Sequence, residues 1–139
     1  MKVFLRKDIK NELIKLAKES YPIEVCSFLL GNCVNKDEYY VEQIYTMKND
    51  DNSHLSFHID EKSLFELYSN PKVKDKIIGI FHSHPSGVLP SQTDEKYMQI
   101  NPVIWIIFSV LDDKLRAYFY ENNIVVNVEL DTITTTTMV

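Results

Sequence analysis

The sequence predicts an α/β (α+β) fold: a single mixed, curved sheet with two to three helices packed on it. Three observations carry that reading. Strand-like and helix-like patterns alternate over the first hundred residues. "KIIGIFH" (76–82) is a continuous apolar run of the kind buried on both faces of a sheet. Three further strand-like runs, separated by short turns, end the chain as a meander.

Each element has its own signal. "KVFL" (2–5) reads as a short strand. Asp8 can cap the helix that follows, in which Ile9, Leu13, Leu16 and Ala17, with Ile14 beside them, form one apolar stripe. That helix stops near Ser20, because Pro22 disfavours helical geometry at Tyr21. "VCSFLLGNCV" (25–34) is a strand with Glu24 at its entrance, and "EYYVEQIYTM" (38–47) pairs with it through the "NKD" turn. After the polar loop "NDDNS" (49–53), "LSFHI" (55–59) is extended. Asp60 then caps a second helix with Leu64, Phe65, Leu67 and Tyr68 on or near its buried side. A Pro/Ser/Gly loop and a short third helix (about 92–99) follow "KIIGIFH", and Pro102 breaks that helix. "VIWIIFSVL" (103–111), "LRAYFYE" (115–121) and "IVVNVEL" (124–130) make the meander, with "DDK" and "NN" as turns. No internal repeat or linker divides the chain, so it reads as one domain over 1–130 and a polar tail over 131–139 that can fray.

Composition narrows the function classes. The chain has 139 residues, enough for one domain with one real core, and 45% of them are apolar, which argues for a packed globule. A net charge of −5 with no long Lys/Arg cluster argues against a nucleic-acid partner. No apolar run reaches the roughly 18 residues a membrane span needs, so no membrane partner is expected. The charged N-terminus lacks the apolar core of a secretory signal. The expected location is therefore the reducing cytoplasm, with Cys26 and Cys33 as free thiols buried in strands.

The chemistry-bearing stretch is "GIFHSHPSGVLPSQTDEKY" (79–97). Residues i and i+2 of a strand share a face, so His82 and His84 can put two imidazoles on one ion. Zinc suits two nitrogens and a carboxylate with a fourth position left for water. Asp94 is the available third ligand if the Pro/Gly loop folds back. "SQTD" (91–94) equally matches the Ser/Thr-x-x-Asp/Glu pattern that starts helices, so Ser91 and Asp94 could serve only as a cap. The motif alone leaves both readings open. Its place at the end of a buried strand favours a site. Such a site needs a proton-transfer group, for which Glu24 is the candidate; otherwise Glu24 is a solvated carboxylate at a strand entrance.

Taken together, Glu24, His82, His84, Ser91 and Asp94 resemble the JAMM (MPN-plus) zinc metalloprotease motif: a glutamate, then far downstream H-x-H-P, then a loop ending in S-x-x-D. "YPIEVCSFLLG" (21–31), "FHIDEKSLFEL" (57–67), "IIGIFHSHPSG" (77–87) and "VIWIIFSVL" (103–111) resemble the flanking segments of its small prokaryotic members, so the likeness runs from Met1 to about Glu129. What the resemblance implies is an MPN/JAMM-like sheet with a cytidine-deaminase-like core, one Zn²⁺ per chain held by His82, His84 and Asp94, and Glu24 as proton shuttle. It also implies Ser91 as hydrogen-bond donor to the oxyanion. The implied activity is a deubiquitinase-like isopeptidase or peptidase that cuts after the C-terminal tail of a ubiquitin-like modifier, free or conjugated. Carboxypeptidase-like trimming of a sulfur-carrier protein would use the same groups, and a metal-free scaffold is the reading from another class. No H-x-E with a downstream P-C-x-x-C exists, which sets a nucleobase deaminase aside. Two departures stand out. Ser27 replaces the family's usual glycine after the cysteine, and six residues rather than the commoner seven separate His84 from Ser91. The chain also lacks the long insertions of eukaryotic relatives, so its substrate grip is minimal or supplied by an accessory partner or a homodimer. His54 and His58 receive no role.

Overall fold

The computed structural model describes residues 1–47 and 61–134. The polar loop at 49–53, the extended "LSFHI" piece with His54 and His58, the Asp60 cap, the Leu64 side chain and residues 135–139 of the tail lie outside the described residues. In chain order the elements are β1 (Lys2–Arg6), α1 (Lys7–Ser20), β2 (Cys26–Val34), β3 (Glu38–Met47), α2 (Glu61–Tyr68), α3 (Pro71–Lys74), β4 (Ile77–His84), α4 (Gln92–Ile100), β5 (Ile104–Ser109), β6 (Lys114–Glu121) and β7 (Ile124–Ile133).

The seven strands close into a barrel in the order β1-β3-β2-β4-β5-β6-β7. This corrects the expected α/β (α+β) fold of a single mixed, curved sheet with two to three helices packed on it: the sheet is a closed barrel and strands dominate the described residues. The cause is β1, which pairs parallel with β3 (Val3 opposite Tyr39) and parallel with β7 (Val3 opposite Leu130). One five-residue strand thus bridges the two edges and closes the ring, although it covers β3 only up to Val41. β7 runs on through Ile133 because Thr132 and Ile133 still face Leu5 and Arg6 of β1.

Local chemistry explains the elements. α1 has no side-chain cap. Asp8, expected to provide one, sits inside the first turn and pairs with Arg6 at 3.1 Å. The hairpin between β2 and β3 turns at Asn35 and Lys36, both with positive φ; Asn122 and Asn123 do the same between β6 and β7. The pairing of β2 shifts register between Leu30 and Gly31 on one side and between Leu29 and Leu30 on the other. A Cβ at Gly31 would overlap the Tyr40 carbonyl oxygen, so only glycine permits this close approach. α3 escaped the sequence reading. Asn70 caps it by accepting from the Lys72 N–H, and Pro71 fills its first position.

Two apolar clusters lie on the two faces of the strands. One joins Ile9, Leu13 and Ala17 of α1 to Val3, Leu5, Leu29, Val41, Phe81, Ile106 and Phe108. The other joins Leu67 of α2 and Met98 of α4 to Cys26, Phe28, Ile80, Trp105 and Ile107. Among the described residues, no helix is long and apolar enough to cross a membrane.

Candidate metal centre

β4 delivers both histidines. His82 and His84 continue the face that Ile80 gives to the second cluster, and their rings stand 4.8 Å apart and nearly perpendicular. α4 supplies the opposing wall. Asp94 and Met98 lie one helical turn apart and both are buried. Met98 packs into the second cluster, and the same face of α4 turns Asp94 towards the imidazoles. Asp94 Oδ2 lies 2.9 Å from His84 Nε2, and its Oδ1 lies 3.4 Å from His82 Nε2.

Glu24 comes in from the start of β2. The Val25 N–H donates to Ser83 Oγ at 2.8 Å, and the Ser83 N–H donates to the Val25 carbonyl at 3.0 Å. This reciprocal tie pins the chain beside Glu24, whose Oε1 reaches His82 Nε2 at 3.0 Å. Glu24, His82, His84 and Asp94 are all buried. Donor atoms of Glu24, His82 and His84 lie within 4.8 Å of one another, so these three form a buried group that could hold a metal ion.

The ring orientations fit that role. His82 Nδ1 lies 3.2 Å from the Val25 carbonyl, and His84 Nδ1 lies 3.1 Å from the Gly87 carbonyl. A carbonyl only accepts, so each Nδ1 is the donor and each Nε2 is left to face the carboxylates. Histidines tied at Nδ1 in this way are oriented as metal ligands. The donor set, two imidazole nitrogens with carboxylate oxygens in a buried site, fits Zn²⁺.

Charge matches geometry. Burial alone would lower the His84 pKa; the hydrogen bond and charge of Asp94, with the Gly87 carbonyl and Glu24, outweigh it and raise it. Burial would raise Asp94, and the two histidines with the Ser91 amide instead hold it below the usual carboxylate range. Both shifts favour the charged forms of the pair that meets across Nε2 and Oδ2.

Ser91 is the N-cap of α4. Its hydroxyl accepts from the Asp94 N–H at 3.0 Å and its N–H donates to Asp94 Oδ2 at 2.9 Å. The cap and the site thus share Asp94, and the two sequence readings of "SQTD" coexist in one geometry. The Ser27 departure is also accommodated: its buried hydroxyl bonds Thr46 Oγ1 at 2.9 Å across the β2–β3 pair. Cys26 is buried, and burial with the Asp94 charge pushes its thiol pKa far up. Cys33, expected to be buried, is exposed, because β2 leaves the core after Gly31.

Sequence reasoning missed the supporting groups. Ser83 sits between the two histidines and points to the other side of β4, where no motif marks it. The Val25 and Gly87 carbonyls are backbone and carry no residue signal; only the glycine in "PSG" hinted at a special turn.

The fold recurs elsewhere. The solution structure of protein DSY2949 from Desulfitobacterium hafniense is similar with a TM-score of 0.82 at 22% identity, covering 96% of this chain and 94% of that one. The solution structure of a protein from Salinibacter ruber is similar with a TM-score of 0.66 at 20% identity, covering 98% of this chain and 94% of that one. At such identities the likeness is one of fold. No curated protein matches the chain. The pattern of the prokaryotic homologs of the JAB domain matches residues 6–120, a span that holds the glutamate, the histidine pair and the S-x-x-D turn, and the chain belongs to that family.

Proposed function

We propose that this protein is a zinc-dependent peptidase that hydrolyses the bond after the C-terminal tail of a ubiquitin-like modifier, in a precursor or a conjugate. The observation that carries the reading is the buried meeting of Glu24, His82, His84 and Asp94, with both imidazoles tied at Nδ1. His82, His84 and Asp94 would hold the ion. Zinc, when bound, supplies a Lewis acid that acidifies water and polarises a carbonyl.

The chain's own residues do the rest. Glu24 takes a proton from the attacking water and passes it to the departing amine as the C–N bond breaks. The Ser91 hydroxyl already accepts from the Asp94 N–H. Its own proton is then available for the oxygen on which charge develops. Among the described residues, β3 pairs with β2 over its whole length but with β1 only up to Val41. The edge beyond Val41 suits an extended tail, and its end, Met47, faces Cys26, which faces His82. Pro90 and Glu95, the chain neighbours of Ser91 and Asp94, line a cavity of about 310 Å³ with Leu89, Tyr118, Val125 and Asn127. That cavity is large enough for one side chain of a bound tail.

Incubating zinc-loaded protein with ubiquitin-like proteins carrying C-terminal extensions or isopeptide-linked partners tests the reading. Cleavage immediately after the modifier's tail, abolished by a chelator and restored by zinc, is expected. Absence of cleavage across both substrate types, with zinc bound, would overturn it.

A further inference from the structure

The turn between β5 and β6, "SVLDD" (109–113), lies outside the motif, yet it grips the loop that follows the histidines. β4 and β5 run parallel with His84 opposite Ser109. The Val110 N–H donates to the His84 carbonyl at 3.0 Å, and the Leu111 N–H donates to the Pro85 carbonyl at 3.0 Å. The Gly87 N–H is then shared by two acceptors, Ser109 Oγ at 2.9 Å and Asp112 Oδ2 at 3.0 Å. The Ser109 hydroxyl donates its own proton to Asp112 Oδ2 at 2.7 Å, closing a three-membered network. Gly87 has φ +90° with open space around its Cβ position, so it is the backbone angle that demands glycine here. At that angle its N–H reaches the β5–β6 turn while its carbonyl returns to His84 Nδ1 at 3.1 Å.

We infer that Ser109 and Asp112 are positioning residues of the metal centre: they clamp the Gly87 amide and, through the Gly87 carbonyl, fix the ring and tautomer of His84. The inference rests on the metal-centre reading above and adds a layer behind it. Two features make the clamp more than a loop contact. Ser109 is wholly buried, so its hydroxyl is committed to this network rather than to solvent. The Ser109 hydroxyl first, and then the Gly87 amide, hold the Asp112 carboxyl below the usual carboxylate range, so the acceptor is an anion at neutral pH. A charge-assisted bond holds the Gly87 N–H firmly, and because the N–H and the carbonyl of Gly87 flank one Cα, fixing the first sets the direction of the second, which meets His84. The carboxylate of Asp112 thereby reaches His84 without touching it.

The test compares Ser109→Ala, Asp112→Ala and Asp112→Asn with wild type. NMR of the metal-free proteins reads the Nδ1–H of His84 against that of His82, whose acceptor, Val25, lies outside the network. In both alanine variants the His84 signal is expected to move upfield and exchange faster while the His82 signal stays in place. Zinc affinity, measured by competition with a chromophoric chelator, should fall about tenfold. Asp112→Asn keeps an oxygen facing Gly87 without the charge and should restore both readouts in part. An unchanged His84 signal and unchanged zinc affinity in both alanine variants would overturn the clamp, as would equal changes at His82 and His84. If wild-type protein bound no zinc, the proposed function would fail, while the His84 signal of the metal-free proteins would still decide for or against the clamp.

Discussion

At the scale of single residues, the proposed function divides the centre into His82, His84 and Asp94, which would hold a cation, and Glu24, which would move protons. Glu24→Gln keeps the shape of the side chain and removes its basicity. It should leave zinc stoichiometry unchanged and lower turnover by about 100-fold or more. Full activity in that variant would remove Glu24 from its role. The His84–Asp94 pair gives a pH dependence with a definite sign. The His84 pKa is raised above its ordinary 6.5, so the pair's contribution is complete below pH 6.5 and is lost as pH rises through the raised value. The Asp94 pKa lies below its ordinary 3.8, so that contribution is present above 3.8 and lost as pH falls through the lowered value. Metal-free protein should therefore be most stable between these limits and weaken on the alkaline side. Zinc affinity should rise with pH above 6.5, by up to about tenfold per unit while His84 is still losing its proton. Calorimetric melts and zinc titrations at several pH values check both trends.

At the scale of elements, much of the centre could be read from residue types, and the rest could not. His82 and His84 announce themselves because strand periodicity forces a shared face, and "SQTD" announces a helix start. That Ser91 caps α4 while Asp94 also turns to the imidazoles was legible as two alternatives. Only the packing of Met98 beneath Asp94 joins them. The Val25 and Gly87 carbonyls and the Ser109–Asp112 clamp were illegible, because backbone acceptors and residues 25 positions apart leave no periodic trace. β2 offers a sharp test of element geometry. Gly31→Ala places a methyl against the Tyr40 carbonyl at the register shift and should cost about 1–3 kcal/mol in urea unfolding. A neutral result would mean that the bulge relaxes freely.

At the scale of the whole molecule, β1 decides the architecture. Hairpins and the terminal meander follow from turn residues such as Asn35 and Asn122, which is why those strands could be placed in order from the sequence. Parallel pairing of β1 with β3 and β7 joins segments with no turn between them, so the closure of the barrel was not readable. Leu5 is fully buried in the cluster that α1 shares with every strand neighbour of β1. Leu5→Ala should cost about 2–5 kcal/mol. Because β4 and β5 belong to the same closed ring, the centre should lose its zinc at the same denaturant concentration at which the barrel opens. Separate transitions for metal release and unfolding would contradict that coupling.

The central claim is that Glu24, His82, His84 and Asp94 enclose a zinc ion, and elemental analysis of protein equilibrated with zinc and freed of excess metal tests it most directly. The account predicts close to one zinc per chain in wild type. Wild-type protein that retains no zinc at neutral pH would contradict it.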